Sequence, residues 1–151
     1  MKLILVRHAT RDLGPSADCS LNLAGQLMAQ SLAQNLGPTL PKPDALFTSP
    51  KKRAQETLGP AAQLLGLPLN IETQLDERHL HEDGRVFQKR VENYLKSLMT
   101  PYQNGAVVLL CTHSDWLEEA VSFLKGSQGH FACAESRVYN FDGHKWSEHN
   151  D

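Results

Sequence analysis

Long apolar runs, paired cysteines and a surplus of charge of one sign are all missing from this sequence of 151 residues. No stretch approaches the roughly 20 apolar residues that a membrane-spanning helix needs. The apolar start, Leu3 to Val6, is too short for the core of a secretory signal and is stopped by Arg7. Cys19, Cys111 and Cys133 are scattered, odd in number and without C-x-x-C spacing, which argues against a disulfide framework and a cysteine zinc site. Cys111 lies inside an apolar run and reads as a small core residue. The formal net charge is only −2, and no basic-aromatic stripe is present. A partner nucleic acid or an acidic membrane surface is therefore not expected, and an anionic ligand would need locally placed charge. No repeat, low-complexity tract or linker divides the chain. The expectation is one cytoplasmic domain spanning residues 1–151, with 40% hydrophobic residues to build a single core.

What is present alternates between strand and helix patterns. Leu3–Val6 and Val107–Cys111 are apolar on both alternating faces, as strands buried on both sides of a parallel sheet are. Residues 43–49 (PDALFTS) and 67–73 (LPLNIET) are shorter strand candidates. Gly25, Met28, Ala29, Leu32 and Leu36 mark one face of a helix, with Asn22 as its N-cap. Phe87, Val91, Tyr94, Leu95 and Leu98 mark another, with Asp83 just upstream as a cap. Lys51 to Leu65 is a third, with a kink expected at Gly59-Pro60 because Pro60 cannot donate to the carbonyl of Glu56. Residues 130–136 (HFACAES) and 137–143 (RVYNFDG) read as a turn-linked antiparallel pair. The pattern predicts an α/β fold: three layers, with a mainly parallel central sheet flanked by helices.

Ligands of open α/β sheets sit at the carboxyl ends of the strands. Here the first strand runs into Arg7-His8, and the Val107–Cys111 strand runs into Thr112-His113. A third, ALFTS, runs into Pro50 and then Arg53. Ser49 is a good N-cap and Pro50 a good first helical residue, which places Arg53 about one turn into a helix whose free N–H groups attract anions. Two guanidiniums, two imidazoles and a helix end at one rim suit a phosphate, whose oxygens match the arginine fork. One histidine after a strand would mean little; two, with a capped helix carrying Arg53, are harder to attribute to chance.

Together, LVRHAT (5–10), SPKKRAQET (49–57), LDERHL (75–80) and CTHSDWL (111–117) resemble the motifs of the histidine phosphatase, or phosphoglycerate-mutase-like, superfamily. The resemblance runs from Lys2 to about Leu124. It implies a phosphoglycerate-mutase-like fold and covalent catalysis, with His8 as nucleophile and Arg7, Arg53 and His113 forming the phosphate pocket. Glu77 is implied as the catalytic proton donor, with Asp12 and Asp83 in reserve. The stretch around Glu77 resembles that of the cofactor-dependent mutases, but Leu80 and His81 stand where those carry tyrosine and glycine. The short chain is more similar to the small SixA-type phosphohistidine phosphatases. The implied activity is metal-independent hydrolysis, without a cofactor, of a phosphorylated small molecule or phosphoprotein. A phosphomutase and a non-catalytic phosphate-binding module are the alternatives. His79, His81, Glu82 and Asp83 offer a further reading as metal ligands, although such a cluster in a loop is more often solvated. Residues 9–20, 74–85 and 126–137 are the loops expected to set specificity. Trp116, Phe131 and Trp146 are expected in packing rather than at the site.

Overall fold

The computed structural model describes residues 1–149. In chain order the elements are β1 (Lys2–Arg7), α1 (Leu23–Asn35), β2 (Ala45–Thr48), α2 (Lys52–Leu65), β3 (Leu69–Ile71), α3 (Gly84–Leu98), β4 (Val107–Thr112), α4 (Ser114–Lys125), β5 (Ser136–Phe141) and β6 (Trp146–Glu148), with one 3-10 turn at Thr73–Leu75. The strands form one sheet in the order β3-β2-β4-β1-β5-β6. The first four are parallel, and β5 and β6 run antiparallel at one edge. The sheet is thus mostly parallel but mixed.

The two-residue period of the strands sorts their side chains into two cores. Leu3 and Leu5 of β1 join Val108 and Leu110 of β4 against Phe87, Val91 and Leu95 of α3 and Trp116 and Leu117 of α4. Ile4 and Val6 join Leu109 and Cys111 on the other face, against Leu32 of α1 and Ala54, Leu58 and Ala61 of α2. Helices therefore cover both faces, which is why β1 and β4 read as continuous apolar runs. The connection after β1 goes to α1 on one face, and the connection after β4 goes to α4 on the other. Neighbouring strands that send their chains to opposite faces leave a crevice at their carboxyl ends.

The predicted starts of α1 and α3 hold. Asn22 accepts the N–H of Gly25 at 2.8 Å, and Asp83 accepts that of Arg85 at 2.8 Å. Such caps contribute about 1 kcal/mol each. Gly25 has a further reason to be glycine, because a Cβ there would lie 2.0 Å from the carbonyl oxygen of Thr10. The loop leaving the site can approach α1 only at a residue without a side chain.

Several expectations are corrected. Residues 130–135 form no strand; β5 pairs instead with β6, across a turn in which Asp142 Oδ1 caps the N–H groups of His144 and Lys145 and Gly143 takes φ +103°. α2 is one continuous helix through Gly59-Pro60 to Leu65, held across the proline by the burial of Thr57, Leu58 and Ala61. It begins at Lys52, with Lys51 as N-cap, so Pro50 lies outside it and Arg53 is its second residue. Met28 is on the periodic face of α1 yet remains 36% exposed. The helix α4, which the sequence patterns above leave unmarked, follows His113 directly. Among the described residues, no helix is long and apolar enough to cross a membrane.

Candidate active site

Register brings the two histidines together. Arg7 of β1 is paired with Thr112 of β4, so the next residue of each strand is His8 and His113. The N–H of His8 extends the ladder to the carbonyl of Thr112 at 3.0 Å, and that of Ser49, past β2, reaches the carbonyl of Cys111 at 3.0 Å. Alternation continues past the strand ends. His8 follows Ile4 and Val6, and His113 follows Leu109 and Cys111, onto the face covered by α2. Arg53 reaches them from the first turn of α2, and the two imidazole centroids are 5.3 Å apart.

Hydrogen bonds settle the tautomer of each ring. His8 Nδ1 is 2.8 Å from the carbonyl oxygen of Ala9, which can only accept, so the proton is on Nδ1. The lone pair is on Nε2, where Arg53 Nε donates at 3.3 Å. In His113 the roles are reversed. Arg53 donates to Nδ1 at 3.3 Å, so Nε2 carries the proton and donates it to Ser49 Oγ at 2.7 Å. Ser49 was expected to cap α2; its hydroxyl instead accepts from His113 and from the N–H of Lys51 at 3.2 Å.

Both rings are buried, His8 at 8% and His113 at 3% exposure. Burial is the largest cause that lowers the His8 pKa, to about 4, and the charges of Arg53, Arg7 and Arg11 add to it against the bond to Ala9. His113 is pushed down as well, by burial first and then by Arg53. Both imidazoles are neutral at neutral pH. For His8, the unfolded chain, with its histidine near 6.5, binds more protons than the folded one between about pH 4 and 6.5, so the stability it contributes is full above that window and is lost as pH falls through it. His8 alone should remove on the order of 2 kcal/mol between pH 7 and pH 5. Urea denaturation at the two pH values should show this loss, and a His8→Gln, His113→Gln double variant should show much less of it. An unchanged pH dependence in the double variant would contradict these assignments.

The remaining groups close around this pair. Arg53, 4% exposed, meets Glu77 Oε2 at 2.9 Å, and Glu77 Oε2 lies 4.0 Å from His113 Nδ1. The carboxylate answers a buried guanidinium that would otherwise be costly. Arg7 donates to the carbonyl of Phe131 at 2.7 Å, while its buried Nε has no partner among the described residues. Thr57 accepts the N–H of Ala9 at 2.9 Å and donates to the carbonyl of Arg53, locking the residue after His8 onto α2. Ala134, in the left-handed region at φ +59°, donates to the carbonyls of Arg7 and His8. That conformation costs about 1 kcal/mol in a non-glycine residue.

All five expected site residues, Arg7, His8, Arg53, Glu77 and His113, thus converge. Three further contributors were not singled out from the sequence as site residues: Ser49, Thr57 and Asp76, whose Oδ1 lies 3.8 Å from His113 Nε2. Ser49 and Thr57 begin and end the SPKKRAQET motif, which was the available signal. Asp12 and Asp83 make no hydrogen bond or ion pair with the five. Asp83 caps α3, and the backbone of Asp12 pairs with Ser20. At the N-terminus of α2 the N–H of Lys52 is already committed, donating to Asp18 at 2.8 Å. Glu82 is committed to Arg90 through both oxygens, and among the described residues no group of three or more His, Cys, Asp or Glu is placed to hold a metal ion. Trp116 and Phe131 are buried, and Trp146 packs on Phe141 with centroids 5.0 Å apart.

An unprotonated imidazole nitrogen such as Nε2 of His8 is chemically able to act as a nucleophile, and the guanidiniums beside it are donors of a shape that phosphoryl oxygens can accept. A sequence model described as the histidine phosphatase superfamily (branch 1) matches residues 3–83. No curated protein sequence matches the chain. Solved structures of the same fold include a putative α-ribazole-5′-P phosphatase from Escherichia coli (18% identical, TM-score 0.86, covering 99% of this chain and 95% of the other). A mycobacterial glucosyl-3-phosphoglycerate phosphatase complexed with inorganic phosphate is 19% identical, with TM-score 0.82 and coverage of 99% and 95%. The protein histidine phosphatase SixA complexed with tungstate is 21% identical, with TM-score 0.81 and coverage of 99% and 94%.

Proposed function

Because this chain belongs to the histidine phosphatase superfamily, we propose that it hydrolyses a phosphomonoester or a phosphoprotein through a phosphohistidine formed on His8. One observation carries the reading: the bond from Nδ1–H to Ala9 leaves Nε2 of His8 unprotonated beside Arg53, in a ring whose centroid is 5.3 Å from that of His113. Nε2 attacks phosphorus, forming an N–P bond while the bond to the leaving oxygen breaks. The guanidinium groups of Arg7 and Arg53 bind the equatorial oxygens, whose charge grows in the transition state. When the phosphate takes its place on Arg53, Glu77 accepts the proton that a monoanionic substrate brings in, passes it to the leaving oxygen, and then, as a carboxylate, takes a proton from the water that cleaves the N–P bond. His113 stands over the same group. Its Nε2 partner, Ser49, has a hydroxyl that can donate as well as accept, so a shift of the ring proton to Nδ1 would turn that atom toward a phosphoryl oxygen.

Imidazole and guanidinium supply the nucleophile and the charge, so the proposal includes no metal. By their names, one of the similar proteins is a glucosyl-3-phosphoglycerate phosphatase and another a protein histidine phosphatase. A phosphohistidine protein is accordingly among the substrates to test, in a cytoplasmic setting that suits three free thiols. The test is phosphate release from sugar phosphates, nucleotides, phosphoamino acids and a phosphohistidine protein, with and without chelator, and with an added phosphoryl acceptor. The expected result is stoichiometric inorganic phosphate, unaffected by chelator. Transfer to the acceptor in place of water would mark a mutase, tight binding without turnover a binding module, and activity restored only by added metal would contradict the mechanism.

A further inference from the structure

The loop that carries Glu77 is held from behind by one side chain. Arg90 of α3, 11% exposed, has five N–H donors, and five hydrogen bonds leave it. Nη1 donates to the carbonyls of Gln74 at 2.9 Å and Asp76 at 2.8 Å, and Nη2 to that of Glu77 at 3.1 Å. Nε and Nη2 meet the two oxygens of Glu82 at 2.9 and 2.8 Å. The chain from Gln74 to Glu82 therefore curls around a single guanidinium, which also lies 4.9 Å from the ring of Phe87, one turn earlier on α3. Glu82 is held down to about 2, mainly by its bonds to Arg90, so the clamp stays charged across the working pH range. Arg90 itself touches none of His8, Arg7, Arg53 or His113.

We propose that Arg90 is a positioning residue that sets the place of the Glu77 carboxyl at the leaving oxygen. This rests on Glu77 being the proton donor. Glu77 faces Arg53 on the site side while its own carbonyl is bound by Arg90 on the α3 side. Its backbone is thereby fixed between two guanidiniums, with Asp76 Oδ1 accepting its N–H at 2.9 Å. A general acid must stand within hydrogen-bond reach of the oxygen it protonates, and a misplacement of about 1 Å costs about 10²-fold in rate. Lysine cannot substitute, because an ammonium has three donors and no fork.

The experiment compares wild type, Glu77→Gln, Arg90→Met and the double variant on glycerol 2-phosphate and para-nitrophenyl phosphate. Arg90→Met should lose about 10²-fold in kcat on glycerol 2-phosphate and under about tenfold on the aryl ester, with KM little changed. The double variant should be no slower than Glu77→Gln alone on glycerol 2-phosphate, because both changes remove one function. Arg90→Lys and Glu82→Gln, milder changes in case Arg90→Met folds poorly, should show the same discrimination at smaller size. Equal losses on both substrates, or losses that multiply in the double variant, would make Arg90 a merely structural residue. Discrimination in Glu77→Gln that is absent from every Arg90 variant overturns the Arg90 role alone. Absence of discrimination in Glu77→Gln removes the donor assignment, and the inference with it.

Discussion

His8→Ala should lower turnover of every substrate by roughly 10⁴–10⁶-fold, the scale seen when a covalent enzyme loses its nucleophile. No neighbouring group can take over. His113 is the more deeply buried ring, at 3% exposure, and its Nε2 carries the proton donated to Ser49. The hydroxyl of Ser49 is held by His113 and by the Lys51 N–H. Anion binding should behave differently, because Arg7 and Arg53 remain in place. Vanadate or inorganic phosphate should bind His8→Ala within a few-fold of wild type while turnover is lost. A parallel collapse of binding would mean that the imidazole serves to shape the pocket, and turnover within tenfold of wild type would remove His8 from the nucleophile role.

Glu77→Gln should produce the second-largest effect, and one that depends on the leaving group. Glutamine keeps an oxygen for Arg53 Nη2 but cannot deliver a proton, so the pocket keeps its form and loses its acid. On glycerol 2-phosphate, whose alkoxide leaves poorly, kcat should fall by about 10²–10⁴-fold. On para-nitrophenyl phosphate the loss should be much smaller, because that oxygen departs readily as an anion. The variant's rate should accordingly fall more steeply with leaving-group pKa than the wild type's. The carboxylate is 39% exposed and lies within 4.0 Å of His113 Nδ1. Equal losses on both substrates would point to damaged binding. No loss on either would pass the role to another carboxylate. Asp12 and Asp83 were the reserves, but Asp83 is engaged as a helix cap.

Much of this site was legible because it is built from strand ends. Apolar runs with no polar face identify β1 and β4 as interior parallel strands, and the residue following such a strand must emerge at the rim. His8 and His113 could be placed on that ground alone. Their adjacency could not, since it depends on β4 being inserted between β1 and β2, and nothing local in the sequence specifies strand order. The helix caps Asn22 and Asp83 were legible because an N-cap acts within three residues. Ser49 was misread for the same reason. Its local chemistry suits a cap, but a contact 64 positions away claims the hydroxyl. Residues 130–135 carry strand-like composition and yet form the loop that takes Arg7 and supports β1, because Ala134 turns left-handed to reach two carbonyls. Arg90 falls in the same class: on α3 it is one more charged residue, and only the folded chain shows the carbonyls it gathers.

The central claim is that phosphorus becomes bonded to Nε2 of His8. Brief reaction with radiolabelled substrate, followed by quenching and peptide mapping, tests it most directly. The account predicts up to one phosphate per chain, labile in acid and stable in base, on the peptide containing His8 and absent from His8→Ala. Label that survives in His8→Ala, or that maps to Ser49, Asp76 or His113, would contradict it.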